Sequence, residues 1–146
     1  GSGATMGLVC CFLFSRSAHL RTIGRLGLVP GIFNINEPVI FGTPIVMNPV
    51  FFIPFLTAPL VNAVIAWAAL ELDIIGRVIS VVPWTAPAPV GAAWASGWDI
   101  RAAGLALGLI VVSGIIYYPF FRVWEKQLLD AEAGFLHDEA PKETLR

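Results

Sequence analysis

Charge is what this sequence most lacks. Asp, Glu, Lys and Arg supply 13% of its 146 residues, and hydrophobic residues supply 57%. A soluble domain carries roughly 25% charged residues, so a water-facing surface over most of the chain is excluded and lipid is the indicated solvent. Cysteine is nearly absent. Cys10 and Cys11 are adjacent in apolar surroundings, which excludes a disulfide framework and reads as two buried small hydrophobes. Histidine is limited to His19 and His137, neither with a ligand partner nearby, so both read as solvated and no metal site is expected. A net charge of −1 gives no basic excess for nucleic acid. The opening GSGATMG lacks the Gly-Lys-Ser/Thr of a phosphate loop, and no cofactor is expected. Nothing in the sequence reads as a signal peptide.

The few charges are unevenly placed. Between Arg25 and Glu71 the only acidic or basic residue is Glu37, and residues 102–121 contain none. A membrane-crossing helix needs about 20 predominantly apolar residues. Residues 50–70 and 102–121 satisfy that directly, while residues 1–14 read as the end of a helix begun upstream, in a chain that is the C-terminal fragment of a longer membrane protein. Arg16, Arg21 and Arg25 fall in a basic loop, residues 15–26, without an acid, which the positive-inside tendency assigns to the cytoplasm. Arg122 and Lys126 follow the last span, so residues 125–146 are expected as a cytoplasmic tail, a short amphipathic extension that frays around Gly134 and Pro141. The fold class expected is all-α: a polytopic membrane protein fragment with re-entrant or broken hairpins.

With both the basic loop and the tail inside, full crossings between them must be even in number. The two spans satisfy this, so residues 27–48 and 78–98 are expected to re-enter or break. Both carry helix breakers: Pro30, Gly31, Pro38, Gly42 and Pro44 in the first, and Pro83, Pro87, Pro89, Gly91 and Gly97 in the second. Proline removes a backbone donor and clashes with the preceding turn. Irregular backbone at membrane depth survives where it is buried in protein or lines a cavity. Pro49, Pro54 and Pro59 read as kinks in the 50–70 span. Gly3 with Gly7, and Gly104 with Gly108, have the spacing of close helix contacts.

Intramembrane acids are expensive and usually face a polar pathway, which makes Glu37 a functional candidate; the plainer account is an arginine partner or a half-helix N-terminus. Asn34 and Asn36 offer both donors and acceptors to sugar hydroxyls, or else bond between helices. Trp84, within PWTAPAP, could stack on a sugar ring or belong to the interfacial belt to which Trp94, Trp98 and Trp124 are assigned.

GIFNINEPVIFGTPIVMNP, then FIPFLTAPLVNA and PWTAPAPVGA, resemble the C-terminal third of the membrane-embedded IIC component of bacterial sugar phosphotransferase systems, in the lactose, cellobiose and chitobiose group. GSGATMGL resembles the helix before that motif. The resemblance runs from Gly1 to about Trp124, making residues 1–124 part of a transport domain. It implies a homodimer in the cell membrane whose full-length chains bind a disaccharide and present its 6-hydroxyl to a phosphocysteine on a IIB protein. By motif, Glu37 is the sugar-binding acid at the reacting hydroxyl, as general base or as hydrogen-bond acceptor, with Asn36 on the sugar and Trp84 near the ring. The family's membrane-embedded histidine has no counterpart here, so the chain alone is expected to be inactive. The competing readings are an ion- or proton-coupled secondary transporter, with Glu37 as proton carrier, and a membrane scaffold that keeps only the fold.

Overall fold

A computed structural model describes residues 2–139, with side chains described for residues 3–134. Among them are six α-helices: α1 (Met6–Leu13), α2 (Ala18–Ile32), α3 (Glu37–Gly42), α4 (Pro49–Glu71), α5 (Ala88–Ala95) and α6 (Ile100–Glu139). Short 3-10 turns occur at Ser2–Ala4 and Ile45–Met47, and no strand occurs among the described residues. Pro141 lies outside the described residues, and His137 outside the described side chains.

Two helices are long and apolar enough to cross a membrane: α4 over its full length, and α6 from Ile100 to Gly134. Asn48 starts α4 by accepting a hydrogen bond from the Val50 N–H at 3.0 Å, and Pro49 fills the first helical position, where its missing N–H is harmless. The helix continues unbroken through Pro54 and Pro59. At 40 residues α6 is about 60 Å long, longer than a single crossing of the roughly 30 Å hydrocarbon core requires. Outward-facing apolar residues recur along both helices: Leu60, Val64 and Trp67 on α4, and Leu107, Val111 and Ile115 on α6. Such stripes suit lipid or an apolar partner rather than water.

The basic stretch differs from its expectation. Only residues 14–17 are non-helical, and Arg21 and Arg25 belong to α2. The buried residues Leu20, Ile23, Gly24 and Gly27 have the spacing of one helix face, with both arginines exposed on the other. Arg21 and Arg25, which suggested a loop over residues 15–26, belong to the exposed face of an amphipathic helix.

The core forms where α1, α2, α3, α4 and α6 meet around Leu8, Phe12, Leu20, Val39, Phe51 and Tyr117, all fully buried. Phe12 meets Phe51 edge-on at 6.1 Å, and Phe51 meets Trp124 likewise at 6.1 Å. Trp124 thus packs against the core rather than standing apart in a belt. Gly7 packs on the backbone of Gly114: a β-carbon on Gly7 would stand 2.7 Å from Gly114 Cα, so α1 and α6 approach this closely only without one. Gly104 and Gly108, in contrast, face open space. The close contact pairs Gly7 with a different glycine of α6.

The C-terminal part of α6 clasps the turn between α1 and α2. Glu125, only 5% exposed, accepts hydrogen bonds from Ser15 Oγ at 2.7 Å and the Arg16 N–H at 2.6 Å. Its other oxygen lies 3.8 Å from Arg122 Nη1, and Ser17 Oγ donates to Glu132 at 3.2 Å. The arginine-bearing turn and the α6 extension therefore occupy the same end of the bundle.

At the opposite end, Asp99 ties two connections together. Its carboxylate accepts from the Arg101 N–H at 2.9 Å and the Gly76 N–H at 2.8 Å. These two backbone bonds, the Arg101 one foremost, hold its pKa below the ordinary carboxylate value. Between α5 and α6, Gly97 adopts a left-handed φ of 73° while the Trp98 N–H closes back on Ala93 O, the glycine-terminated stop of a helix.

Candidate functional site

The Asn-Ile-Asn-Glu-Pro run forms the turn from α2 into α3, and its conformation follows from its residue types. Asn34 ends α2 in the left-handed region, φ 62°, which asparagine tolerates better than most residues. The Ile35 N–H reaches Pro30 O at 3.0 Å and the Asn34 N–H reaches Gly31 O at 3.1 Å, closing the last carbonyls of α2. Asn36 then leads into α3: its carbonyl accepts from both Val39 and Ile40 at 3.0 Å. Pro38 occupies the opening turn of that helix. Two helix ends are thus joined by the four residues 33–36.

The side chains of the turn reach outward to other segments. Asn34 Nδ2 donates to Trp84 O at 2.9 Å and to Ala86 O at 2.7 Å. Both of its amide hydrogens hold the proline-rich connection between α4 and α5, bringing together the two constellations that the sequence keeps 50 residues apart. Asn36, 7% exposed, donates to Thr5 Oγ1 at 3.1 Å, tying the turn to the start of α1. Both asparagines thus make bridging bonds between segments, the plainer role expected for them. Glu37 is exposed as the first residue of α3, and no ion pair engages it among the described residues. The Trp84 side chain is 71% exposed.

A cavity of about 580 Å³ lies against this turn, within the range of small-molecule sites, roughly 300–1,000 Å³. Asn34 and Asn36 line it, together with Thr5, Asn62 of α4 and Ser113 of α6. Apolar residues of α1, α5 and α6 complete its walls. Glu37 and Trp84 are not among its lining residues. The site residues expected from sequence therefore divide: two asparagines on the cavity wall, with the glutamate and the tryptophan on adjoining surfaces. Asn62 and Ser113 were not singled out from sequence. The signal was there, since Asn62 is a lone amide within an otherwise apolar span.

A helical bundle with two membrane-length helices and an amide-bearing cavity beside broken backbone has the form of part of a polytopic membrane transporter. Residues 1–59 match the family "Phosphotransferase system, EIIC". The chain is 46% identical over 121 residues to the PTS system cellobiose-specific EIIC component of Lactococcus lactis subsp. lactis (strain IL1403), an alignment covering 82% of this chain and 24% of that protein. It is 43% identical over 135 residues to the PTS system lactose-specific EIICB component of Staphylococcus aureus (strain N315), covering 92% and 24% respectively. The solved structure of ChbC, the IIC component from the N,N'-diacetylchitobiose-specific phosphotransferase system, superposes with a TM-score of 0.88 at 43% identity over 92% of this chain and 32% of that one. The chain belongs to the phosphotransferase EIIC family, in its lactose, cellobiose and chitobiose group. It spans about a quarter of the length of these two curated relatives.

Proposed function

We propose that this chain forms the sugar-site part of a phosphotransferase permease, a multi-pass protein of the bacterial cell membrane that acts as a homodimer and couples disaccharide transport to phosphorylation. The observation that carries the reading is the double hydrogen bond from Asn34 to the Trp84 and Ala86 carbonyls. It holds the asparagine-glutamate-proline turn and the tryptophan loop as one unit beside a ligand-sized cavity. The sugar is of the cellobiose, chitobiose or lactose type, in keeping with the names of the relatives. The arginine-bearing turn and the α6 extension, at one end of the bundle, face the cytoplasm, where the IIB partner waits.

In this reading Glu37, exposed at an irregular turn, accepts the hydrogen of the sugar 6-hydroxyl as its oxygen attacks the phosphorus of phosphocysteine on IIB. The new P–O bond forms as the P–S bond breaks, the thiolate leaves with the electron pair, and the hydroxyl proton passes to the carboxylate. Such transfers depend chiefly on position and charge, which suits a carboxylate set by Pro38 rather than by a flexible loop. Asn36 and Asn34 border the sugar while holding the turn, and Trp84 offers its face to a ring. The chain acts only within a complete transporter.

The test is phosphorylation of cellobiose and chitobiose by membrane vesicles holding the full-length transporter with phosphorylated IIB. Glu37→Gln should lower the rate at least about 100-fold, the lower end for loss of a general base, with the protein still in the membrane. Uptake of unmodified sugar without IIB, driven by a pH gradient, would overturn the reading.

A further inference from the structure

Besides the asparagine turn and Thr5, the polar lining of the cavity comes from Asn62 on α4 and Ser113 on α6. Asn62 Nδ2 donates to Ser113 Oγ at 2.8 Å, and Ser113 Oγ donates in turn to Leu109 O at 2.8 Å. The serine hydroxyl is thus satisfied on both sides. The asparagine is not: its Oδ1 is buried and has no hydrogen-bond partner among the described residues. Turning the amide over leaves the problem in place, because the nitrogen would then occupy the same unpartnered position. One end of this side chain lacks a partner in either orientation.

A buried polar group without a partner is costly, and more so within a membrane, where water offers no relief. Asn62 lies thirteen residues into α4, about 20 Å from its start. That places it well inside the hydrocarbon layer, not at an interface. If the amide served only to join α4 and α6, its bond to Ser113 would be sufficient and the second polar end would add nothing. Helix contact is already supplied along this pair, whose antiparallel register runs from Phe51–Trp124 to Asn62–Ser113 with eleven residues' advance on one helix and eleven back on the other.

The geometry points to Asn62 as a sugar-binding residue that selects for a hydroxyl on the bound disaccharide, in the cavity that Asn34 and Asn36 also line. Asn62 is itself one of the residues that line the cavity, and the broad χ2 torsion of asparagine lets its amide turn toward that space. A hydroxyl both donates and accepts, so it satisfies either amide orientation, which an apolar ligand group does not. Ser113, which accepts from the other end of the amide, serves the contact between α4 and α6. This assignment rests on the transport reading above, and it adds a contact outside the asparagine-glutamate-proline motif.

The experiment measures phosphorylation by the full-length transporter with phosphorylated IIB, comparing wild type, Asn62→Leu and Ser113→Ala on cellobiose and on its monodeoxy analogues. Asn62→Leu should raise KM about 10-fold, within what one hydrogen bond supplies, with kcat little changed. Ser113→Ala should alter KM less than about twofold while lowering thermal stability. One monodeoxy analogue should show the same 10-fold rise with wild type and no further rise with Asn62→Leu. Should Asn62→Leu fail to assemble, the analogue series on wild type and Asn62→Ser supplies the same comparison. Equal KM effects for the Asn62 and Ser113 variants, or an analogue penalty that persists without the amide, would reduce Asn62 to a helix contact and overturn the inference. Absence of any sugar phosphorylation by wild type would instead bring down the transport reading itself.

Discussion

Asn34 is where local backbone, tertiary contact and the proposed site coincide, and three substitutions separate its contributions. Asn34→Gly preserves the left-handed backbone at φ 62° but removes the bonds to Trp84 O and Ala86 O. At about 0.5–1.5 kcal/mol each, and nearer the lower figure for the exposed bond to Trp84, the loss is about 1–2 kcal/mol. Asn34→Ala loses the same bonds and adds the strain of a β-carbon in the left-handed region, about 1 kcal/mol more. Asn34→Asp keeps the shape but sets acceptors against two carbonyls, and should be the worst of the three. The readout is hydrogen exchange at the Ala86 amide, which bonds to Pro83 O at 3.0 Å inside the held loop. Loss of 1–2 kcal/mol of local stability corresponds to roughly 5- to 30-fold faster exchange in the glycine variant. The alanine variant should exchange faster still, and helix-interior amides of α4 should be unaffected. Unchanged exchange at Ala86 in Asn34→Gly would refute the claim that this side chain holds the loop.

Two further outcomes concern the scaffold. Gly7→Val should destabilise the bundle by about 1–3 kcal/mol through overpacking against Gly114, whereas Gly108→Ala, facing open space, should be neutral or slightly stabilising; thermal unfolding in detergent compares the pair, and equal effects would contradict the close approach. Glu125→Ala leaves the Ser15 hydroxyl and the Arg16 N–H without their acceptor, so trypsin should cut at Arg16 at least several-fold faster than in the parent, while an unchanged cleavage rate would show that the clasp does not hold that turn.

Much of the architecture was legible because lipid imposes simple demands. Twenty apolar residues without charge mark a spanning helix whatever it packs against, and both long helices fall where that rule puts them. The irregular segments were legible only in outline: Pro83 and Pro87 fall in the irregular stretch from Ser80 to Pro87, whereas Pro30, Gly31 and Pro38 lie inside the helices that flank irregular residues 33–36. The helical state of residues 18–26 was hidden because Arg21 and Arg25 stand on the exposed face of a helix whose buried face is short. Which glycines touch was also hidden. Spacing marks Gly3, Gly7, Gly104 and Gly108 alike, yet only the meeting of α1 with α6 decides that Gly7 finds Gly114. Glu125 looked like one charge among several in a polar tail; its burial depends on a turn more than 100 residues away.

By itself the sequence determined the solvent, the spans, the broken segments and the singular carboxylate at Glu37, since each follows from local composition and the cost of bare backbone or charge in hydrocarbon. The tertiary structure decided what the polar residues do. Hydrogen bonds are short-ranged and directional, so only folding could show that Asn34 holds the tryptophan loop, that Asn36 reaches Thr5, and that Asn62 keeps one amide end without a partner at the wall of the cavity.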